Sequence, residues 1–105
     1  MSIELNDQNF STILNEEKPV MIDFFATWCG PCQLSSPMID ELSEEFKESL
    51  VIGKIDVDEN PDSVTQYGIK SLPTLIFFKN GKVMDKQEGS ASKQKIIEKI
   101  KKQLG

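Results

Sequence analysis

Apolar residues along the chain fall into strand-like runs that alternate with helix-like repeats. Val20 to Ala26 is a nearly continuous apolar run, which predicts a central strand buried on both faces. Asp23 interrupts this run, and a carboxylate at such a position is a candidate functional group. Val51 to Val57 predicts a second central strand, which carries Lys54 in its middle.

Four segments are predicted to be helices, three of them from the three- and four-residue apolar spacing of amphipathic helices and the third in the chain from its cap and proline. In chain order they are Phe10, Ile13 and Leu14; Leu34, Met38, Ile39, Leu42 and Phe46; Pro61 to Tyr67; and Ile96, Ile97, Ile100 and Leu104. We expect Asn6 or Asp7 to cap the first helix, Asn60 the third and Ser92 the last. Pro37 lies inside the second helix and predicts a kink there.

A hairpin is predicted near the end of the sheet. Leu75 to Lys79 and Val83 to Glu88 are strand-like, and Asn80 and Gly81 between them are typical of a tight turn. The chain is therefore predicted to be α/β, with a parallel βαβ half, an antiparallel ββα half and helices on both faces of one mixed sheet. The 105 residues fit a single domain, 1–105.

Composition and charge narrow the classes of function. The chain is 38% hydrophobic and 28% charged, as ordinary soluble globular proteins are. Its net charge of −5 argues against nucleic acid as a partner, since that affinity depends on clustered cations. No apolar segment approaches membrane-spanning length, and the start of the chain does not resemble a secretory signal. We therefore expect no membrane association and a cytoplasmic location.

The only two cysteines, Cys29 and Cys32, allow three interpretations. A structural disulfide across so short a ring stabilises by only about 2 kcal/mol in the loop-entropy account. A zinc site normally has four ligands, and the chain has no histidine, so it would need carboxylates or a second copy. Closely spaced cysteines beside a βαβ pattern are typical of thiol redox chemistry, which we favour.

The position of each cysteine suggests its role. Cys29 precedes the helix that begins at Pro31, where free backbone N–H groups favour a thiolate. Cys32 is one turn further on, and we expect it to be more buried. Cys29 is therefore the predicted nucleophile toward a substrate disulfide, and Cys32 the residue that resolves the mixed disulfide.

Asp23 is the best candidate to accept the proton of Cys32, because no histidine is present. Burial in an apolar strand is expected to raise the pKa of this carboxyl toward neutrality. Lys54, on the neighbouring strand, is its expected partner. The alternative is a buried Asp23–Lys54 ion pair that only stabilises the sheet.

Several segments together resemble the thioredoxin family. They are "WCGPC" after "IDFFAT", then "KIDVDENP", "YGIKSLPTLIFFKNG" and "GSAS" in that order, and they span nearly the whole chain. The resemblance implies a thioredoxin fold and reduction of disulfides in target proteins through a mixed disulfide. It also implies a monomer that needs no cofactor beyond the cysteine pair and receives electrons from a thioredoxin reductase.

The resemblance further implies a substrate-binding surface around Cys29. Pro73 would be a cis-proline packed against the cysteines, and the backbone of Leu72 would pair with an extended substrate segment. The residues of this surface would be Trp28, Gly30, Pro31, Leu72, Pro73 and Gly89. For Trp28 the alternative is plain core packing. Gln33 and Phe25 depart from the commonest family pattern, which has a cation and a tryptophan at these positions.

Two other functions remain open on this sequence. A related oxidoreductase could act in reverse, as an oxidant or isomerase, although the Gly30-Pro31 dipeptide resembles that of reductants. A thioredoxin-like domain could also be a binding module with incidental cysteines. Substituting serine at Cys29 and Cys32 distinguishes the cases, because a pure binding role survives both changes.

Overall fold

A computed structural model describes residues 3–105, and in this range a mixed sheet is combined with four helices. The strands are β1 (Ile3–Leu5), β2 (Val20–Phe25), β3 (Val51–Asp56), β4 (Thr74–Lys79) and β5 (Lys82–Glu88). The helices are α1 (Phe10–Leu14), α2 (Gly30–Glu45), α3 (Pro61–Tyr67) and α4 (Lys93–Leu104). The predicted order of elements from α1 to α4 is thereby confirmed, with bounds that differ by a residue or so at the ends of several elements. The short strand β1 was not predicted.

The sheet has the strand order β1-β3-β2-β4-β5, so β2 lies at its centre. β3 pairs in parallel with both β1 and β2, whereas β4 pairs antiparallel with β2 and β5. The predicted mixed α/β fold is therefore correct. At the hairpin between β4 and β5, Asn80 and Gly81 have φ angles of 54° and 77°, as a tight turn between antiparallel strands requires.

The two faces of β2 contribute to two separate hydrophobic clusters, because successive side chains of a strand point to opposite faces. Ile22 and Phe24 pack in one cluster together with Phe10 of α1. Met21 packs in the other cluster with Ile39 of α2 and with residues of α4. Two strand positions beyond Met21, Asp23 therefore lies on the face that α2 covers. This arrangement places its carboxyl beneath the start of α2.

An aromatic group ties α1 and α3 to the sheet. The ring of Phe10 lies 5.4 Å from the ring of Tyr67 and 6.0 Å from that of Phe78, between centroids. Tyr67 also meets Phe78 edge-on at 5.3 Å. Phe78 is buried in this cluster and Tyr67 packs against it, whereas Phe77 is buried in the cluster on the other face of the sheet.

The predicted cap of the first helix is correct only in part, and that of the third is correct in position but not in its contacts. Asn9 directly precedes α1 as its N-cap residue, and its side chain makes no capping hydrogen bond to the helix. The Asn6 Oδ1 accepts hydrogen bonds of 2.9 Å from the backbone N–H groups of Gln8 and Asn9, in the turn that leads into α1. Asp7 instead accepts a hydrogen bond from the backbone N–H of Ser63 in the first turn of α3, at 3.0 Å. Asn60 is the N-cap residue of α3, but its side chain bonds Asp7 and Asp56 rather than the helix. The turn before α1 therefore places the Asp7 carboxylate at the first turn of α3.

The last cap is confirmed, whereas two apolar residues do not face inward as predicted. The Ser92 hydroxyl accepts a hydrogen bond from the backbone N–H of Lys95 at 3.2 Å. Leu34 is 85% exposed and Leu104 is 38% exposed. The buried stripe of α2 runs through Cys32 and Ile39, seven residues apart, so Leu34 points roughly to the opposite side. Leu104 is the final residue of α4, where the helix leaves the sheet.

Candidate active site at the cysteine pair

The two cysteines lie where the chain leaves the central strand and begins α2. Cys29 is the N-cap residue of this helix and has an extended backbone, and Pro31 lies in the first turn. The Cys29 Sγ accepts a hydrogen bond from the backbone N–H of Cys32 at 3.2 Å. The two residues form a disulfide, and their Cα atoms are 5.3 Å apart. The N–H group of Cys32 in the first turn of α2 is thus aimed at the sulfur of Cys29, which favours its thiolate when the pair is reduced.

The two cysteines border different cavities. Cys29 lines a groove of about 430 Å³ on the outside of the molecule. Cys32 lines a second cavity of about 300 Å³, which also reaches Asp23. Both cysteines are 5% exposed, so the expectation that Cys32 is the more buried of the two is wrong for the disulfide form. The difference between them is which cavity each one borders.

The groove beside Cys29 contains four of the six residues predicted to bind substrate. Trp28, Gly30, Pro31 and Leu72 line it. The Trp28 ring is 69% exposed, which excludes plain core packing. Its Nε1–H donates a hydrogen bond of 2.7 Å to Asp58 just after β3, so the exposed ring is held in place. The remaining wall is apolar and is formed by Val57, Val64 and Ile69 together with the stem of Lys70.

The other two predicted residues, Pro73 and Gly89, do not line this groove but line a separate small pocket. The Leu72–Pro73 peptide bond is cis, as the resemblance implies. The Pro73 carbonyl accepts a hydrogen bond of 2.8 Å from the backbone N–H of Gly89, which has a φ of 79°. Pro73 and Gly89 are therefore joined to each other, and Leu72 connects them to the groove and packs against the cysteines.

Asp23 is almost fully buried next to Cys32, and its side chain is only 2% exposed. Burial raises the pKa of this carboxyl to about 6, the Lys54 charge works against that rise, and the Asp40 charge adds to it. The buried Oδ1 of Asp23 has no hydrogen-bond partner among the described residues. A carboxyl with this pKa is mostly ionised at neutral pH. It can still accept a proton there, because its pKa lies close to neutrality.

Lys54 is the register partner of Asp23 across β2 and β3, but the predicted ion pair between them does not form. The Lys54 Nζ donates a hydrogen bond of 2.7 Å to the Ser36 hydroxyl and lies 3.8 Å from Asp40 Oδ1. In residues 3–105, Asp23 has no lysine nitrogen within 4.0 Å that would count as an ion pair. Two α2 side chains hold the ammonium instead, so it acts on Asp23 through its field.

Comparison with known proteins settles the family. The family model described as Thioredoxin matches residues 1–102. The chain belongs to the thioredoxin family. It is 44% identical over 103 residues to a thioredoxin of Chlorobaculum thiosulfatiphilum, covering 97% of this chain and 95% of that protein. It is also 41% identical over 101 residues to a chloroplastic M-type thioredoxin of Pisum sativum, covering 95% of this chain and 59% of that protein.

Membership in the thioredoxin family, together with the Cys29–Cys32 disulfide, establishes the general activity. The chain is a thiol–disulfide oxidoreductase and a disulfide reductase, which exchanges electrons through its cysteine pair. Thioredoxins carry out this exchange without a separate cofactor. No group of three or more metal-ligating side chains comes together among residues 3–105, and no helix in this range is long and apolar enough to cross a bilayer.

Two positions depart from the commonest thioredoxin pattern, and both have defined contacts. The Gln33 side-chain amide donates a hydrogen bond of 2.6 Å to the Thr27 carbonyl, which joins the first turn of α2 to the loop before it. Phe25 is half-buried and packs against the small cluster that contains Cys29 and Cys32. Both side chains line the cavity between Cys32 and Asp23.

Sequence reasoning missed three polar residues of this site: Ser36, Asp40 and Asp58. A signal for two of them was present, because Ser36 and Asp40 follow Cys32 at intervals of four and therefore share its face of α2. Asp58 gave no such signal, since its contact with Trp28 joins two loops that are 30 residues apart in sequence.

Proposed function

We propose that Cys29 and Cys32 reduce disulfides of target proteins in two ordered steps. The Cys29 thiolate attacks one sulfur of the target disulfide, forms a mixed disulfide and releases the first target thiolate. The Cys32 thiolate then attacks the Cys29 Sγ, forms the Cys29–Cys32 disulfide and releases the second target thiolate. Two electrons pass to the target. The observation that carries this order is that Cys29, at the N-terminus of α2, borders the outer groove.

We assign Asp23 as the acceptor of the Cys32 proton. The two residues border the same cavity, and the Asp23 pKa of about 6 leaves its carboxylate ionised at neutral pH and basic enough to take a proton. Lys54 adjusts this basicity through its charge, since it lies at the same level of the sheet. The purely structural role of an Asp23–Lys54 pair loses support, because that pair does not form.

The groove is the proposed docking surface for the target protein. Its walls are largely apolar, and the exposed Trp28 ring provides a rigid contact directly beside Cys29. We propose that the backbone of Leu72 pairs with an extended segment of the target. Pro73 and Gly89, which are hydrogen-bonded to each other, complete this side of the surface.

The proposed direction of electron flow and the proposed partners both follow from the role assigned to the two cysteines. The Gly30-Pro31 dipeptide between the cysteines resembles that of reductants and favours reduction over oxidation or isomerisation. We propose a thioredoxin reductase as the electron donor, proteins with accessible disulfides as targets, and a monomer in the cytoplasm, where closely spaced thiols are kept reduced.

A disulfide-reduction assay in a defined thiol buffer tests the proposal. We expect the wild type to turn over a disulfide-bonded protein, and Cys29→Ser to be inactive because it lacks the nucleophile. Cys32→Ser should react once and then stall, because it cannot resolve the mixed disulfide. Turnover that survives Cys29→Ser would contradict the assignment, and a biological role that survives both changes would indicate a binding module.

A further inference from the structure

The ammonium of Lys54 contacts two side chains of α2, although Asp23 is its direct neighbour in the sheet and an ion pair between these two residues would be expected. Asp23 and Lys54 face each other directly in the register of two parallel strands and line the same cavity of about 300 Å³. Even so, the Lys54 Nζ donates its hydrogen bond to the Ser36 hydroxyl, at 2.7 Å. Asp40 Oδ1 follows at 3.8 Å.

The helix spacing explains how α2 reaches Lys54. Cys32, Ser36 and Asp40 lie four residues apart and form one stripe along the helix. Ser36 is the middle member of this stripe and lines the cavity together with Cys32. Along this stripe, Ser36 therefore lies between the resolving cysteine and Asp40.

From this geometry we propose that Ser36 is a positioning residue, whose hydroxyl holds the Lys54 ammonium toward Asp40 and prevents it from pairing with Asp23. The buried Oδ1 of Asp23 is thereby left without a hydrogen-bond partner in the protein. An ammonium in contact would stabilise the carboxylate and make it a weaker base. Ser36 thus keeps Asp23 able to accept the Cys32 proton, and the functional part of this inference rests on the base role proposed above.

Of the charged groups around Asp23, Lys54 is the one that bonds to Ser36, so its position is the one that Ser36 can control. Lys54 faces Asp23 from β3, and Asp40 faces it from α2. On the other side, β4 places the apolar Leu75 opposite Asp23. Glu4 of β1 is the register partner of Lys54 on the side away from Asp23, and it is exposed. Cys32 belongs to the disulfide in the oxidised protein and does not titrate there.

The direct test is an NMR titration of the Asp23 carboxyl carbon in the oxidised protein, comparing the wild type with Ser36→Ala. We expect the Asp23 pKa to fall by about half a unit or more in Ser36→Ala, because the freed ammonium then approaches the carboxylate. Ser36→Thr, which keeps a hydroxyl, should retain the wild-type value. Ser35→Ala is the matched control, since the Ser35 hydroxyl bonds the Cys32 carbonyl of its own helix and not Lys54.

A second pair of variants shows whether the effect passes through Lys54. With Lys54→Met as the background, adding Ser36→Ala should leave the Asp23 titration unchanged, because no ammonium remains to be redirected. An unchanged Asp23 pKa in Ser36→Ala would overturn the proposal, and so would an equal shift in the Lys54→Met background. Alanine at position 36 suits a helix, so we expect all variants to fold.

The rate of the resolving step, measured from pH 5 to pH 9 on the same variants, separates this inference from the proposed base role. A shift of its acidic limb in Ser36→Ala that matches the shift of the Asp23 pKa supports both. If the Asp23 pKa shifts and the rate profile does not, the positioning by Ser36 stands and the base role of Asp23 is wrong.

Discussion

Asp23 shows how one polar residue within an apolar strand affects both stability and chemistry. Its pKa is raised from 3.8 to about 6, mainly by burial. Between these two values the folded protein holds a proton that the unfolded chain has lost, so stability falls as the pH rises through this window. Above pH 6 the cost is fully present and is on the order of 3 kcal/mol.

At the residue scale we therefore predict that Asp23→Ala stabilises the oxidised protein at pH 8 by about 2 kcal/mol, since the lost packing offsets part of the gain. The measurement is the free energy of unfolding in urea at pH 8 and at pH 4. At pH 4 the advantage should largely disappear, because Asp23 is protonated in the folded wild type. An equal gain at both pH values would show that its charge is not the cause.

The sequence could indicate Asp23 but not its surroundings. A carboxylate inside an apolar run must be desolvated, and that inference needs no coordinates. Which side chain holds Lys54 depends instead on how α2 crosses the sheet, which is a tertiary property. The same limit applies to Asp58, because its hydrogen bond to Trp28 joins two residues that are 30 positions apart in the sequence.

At the scale of elements, α3 depends on a residue far away in the chain. The Asp7 carboxylate accepts hydrogen bonds from the Ser63 hydroxyl at 2.6 Å and from the backbone N–H of Ser63 at 3.0 Å and Asp62 at 3.3 Å. These bonds, the Ser63 hydroxyl first, hold the pKa of Asp7 below its ordinary value. The bounds of α3 agree with Pro61 as its first residue and with Gly68 after it, which has a left-handed φ of 61°. The cap that Asp7 provides could not be predicted, because no pattern in the sequence near α3 indicates it.

We predict that Asp7→Ala lowers the unfolding free energy and reduces amide protection at Asp62 and Ser63, because the start of α3 loses its acceptor. The effect should be present above the ordinary Asp7 pKa and should vanish as the pH falls through the lowered value, where the wild type also loses the charge. Hydrogen exchange and urea unfolding measure both results. The control is Glu16→Ala, an exposed acidic position, and an equal loss in that variant would contradict the capping role.

At the scale of the whole molecule, the fold separates the two cysteines between the groove beside Trp28 and a second cavity beside Asp23. Hydrophobic periodicity together with cap and turn signals predicted the alternating elements and the mixed sheet, apart from the short strand β1, since each strand and helix must bury one face or both. The cysteine pair and the family resemblance identified the site. The division into two cavities could not be predicted, because both cysteines border the same short turn and differ only in what packs around them.

The groove predicts that Trp28 contributes to binding large substrates. Trp28→Ala should lower kcat/KM for a disulfide-bonded protein by about tenfold, because an exposed aromatic anchor beside the nucleophile is lost. A small disulfide, which does not fill the groove, should be reduced almost as before. Met84→Ala is the matched control, because Met84 is also exposed but lies on β5. An equal loss for both substrates would mean that Trp28 acts on Cys29 rather than on docking.

Trapping of the mixed disulfide tests the division of roles between the cysteines most directly. Each single variant, Cys29→Ser and Cys32→Ser, is incubated in its reduced form with a disulfide-bonded protein, and the adduct is digested and mapped by mass spectrometry without reduction. We predict a stable adduct for Cys32→Ser only, joined through Cys29, because Cys29 alone borders the groove where the target binds. A stable adduct of Cys29→Ser that is joined through Cys32, at a comparable rate, would contradict this account.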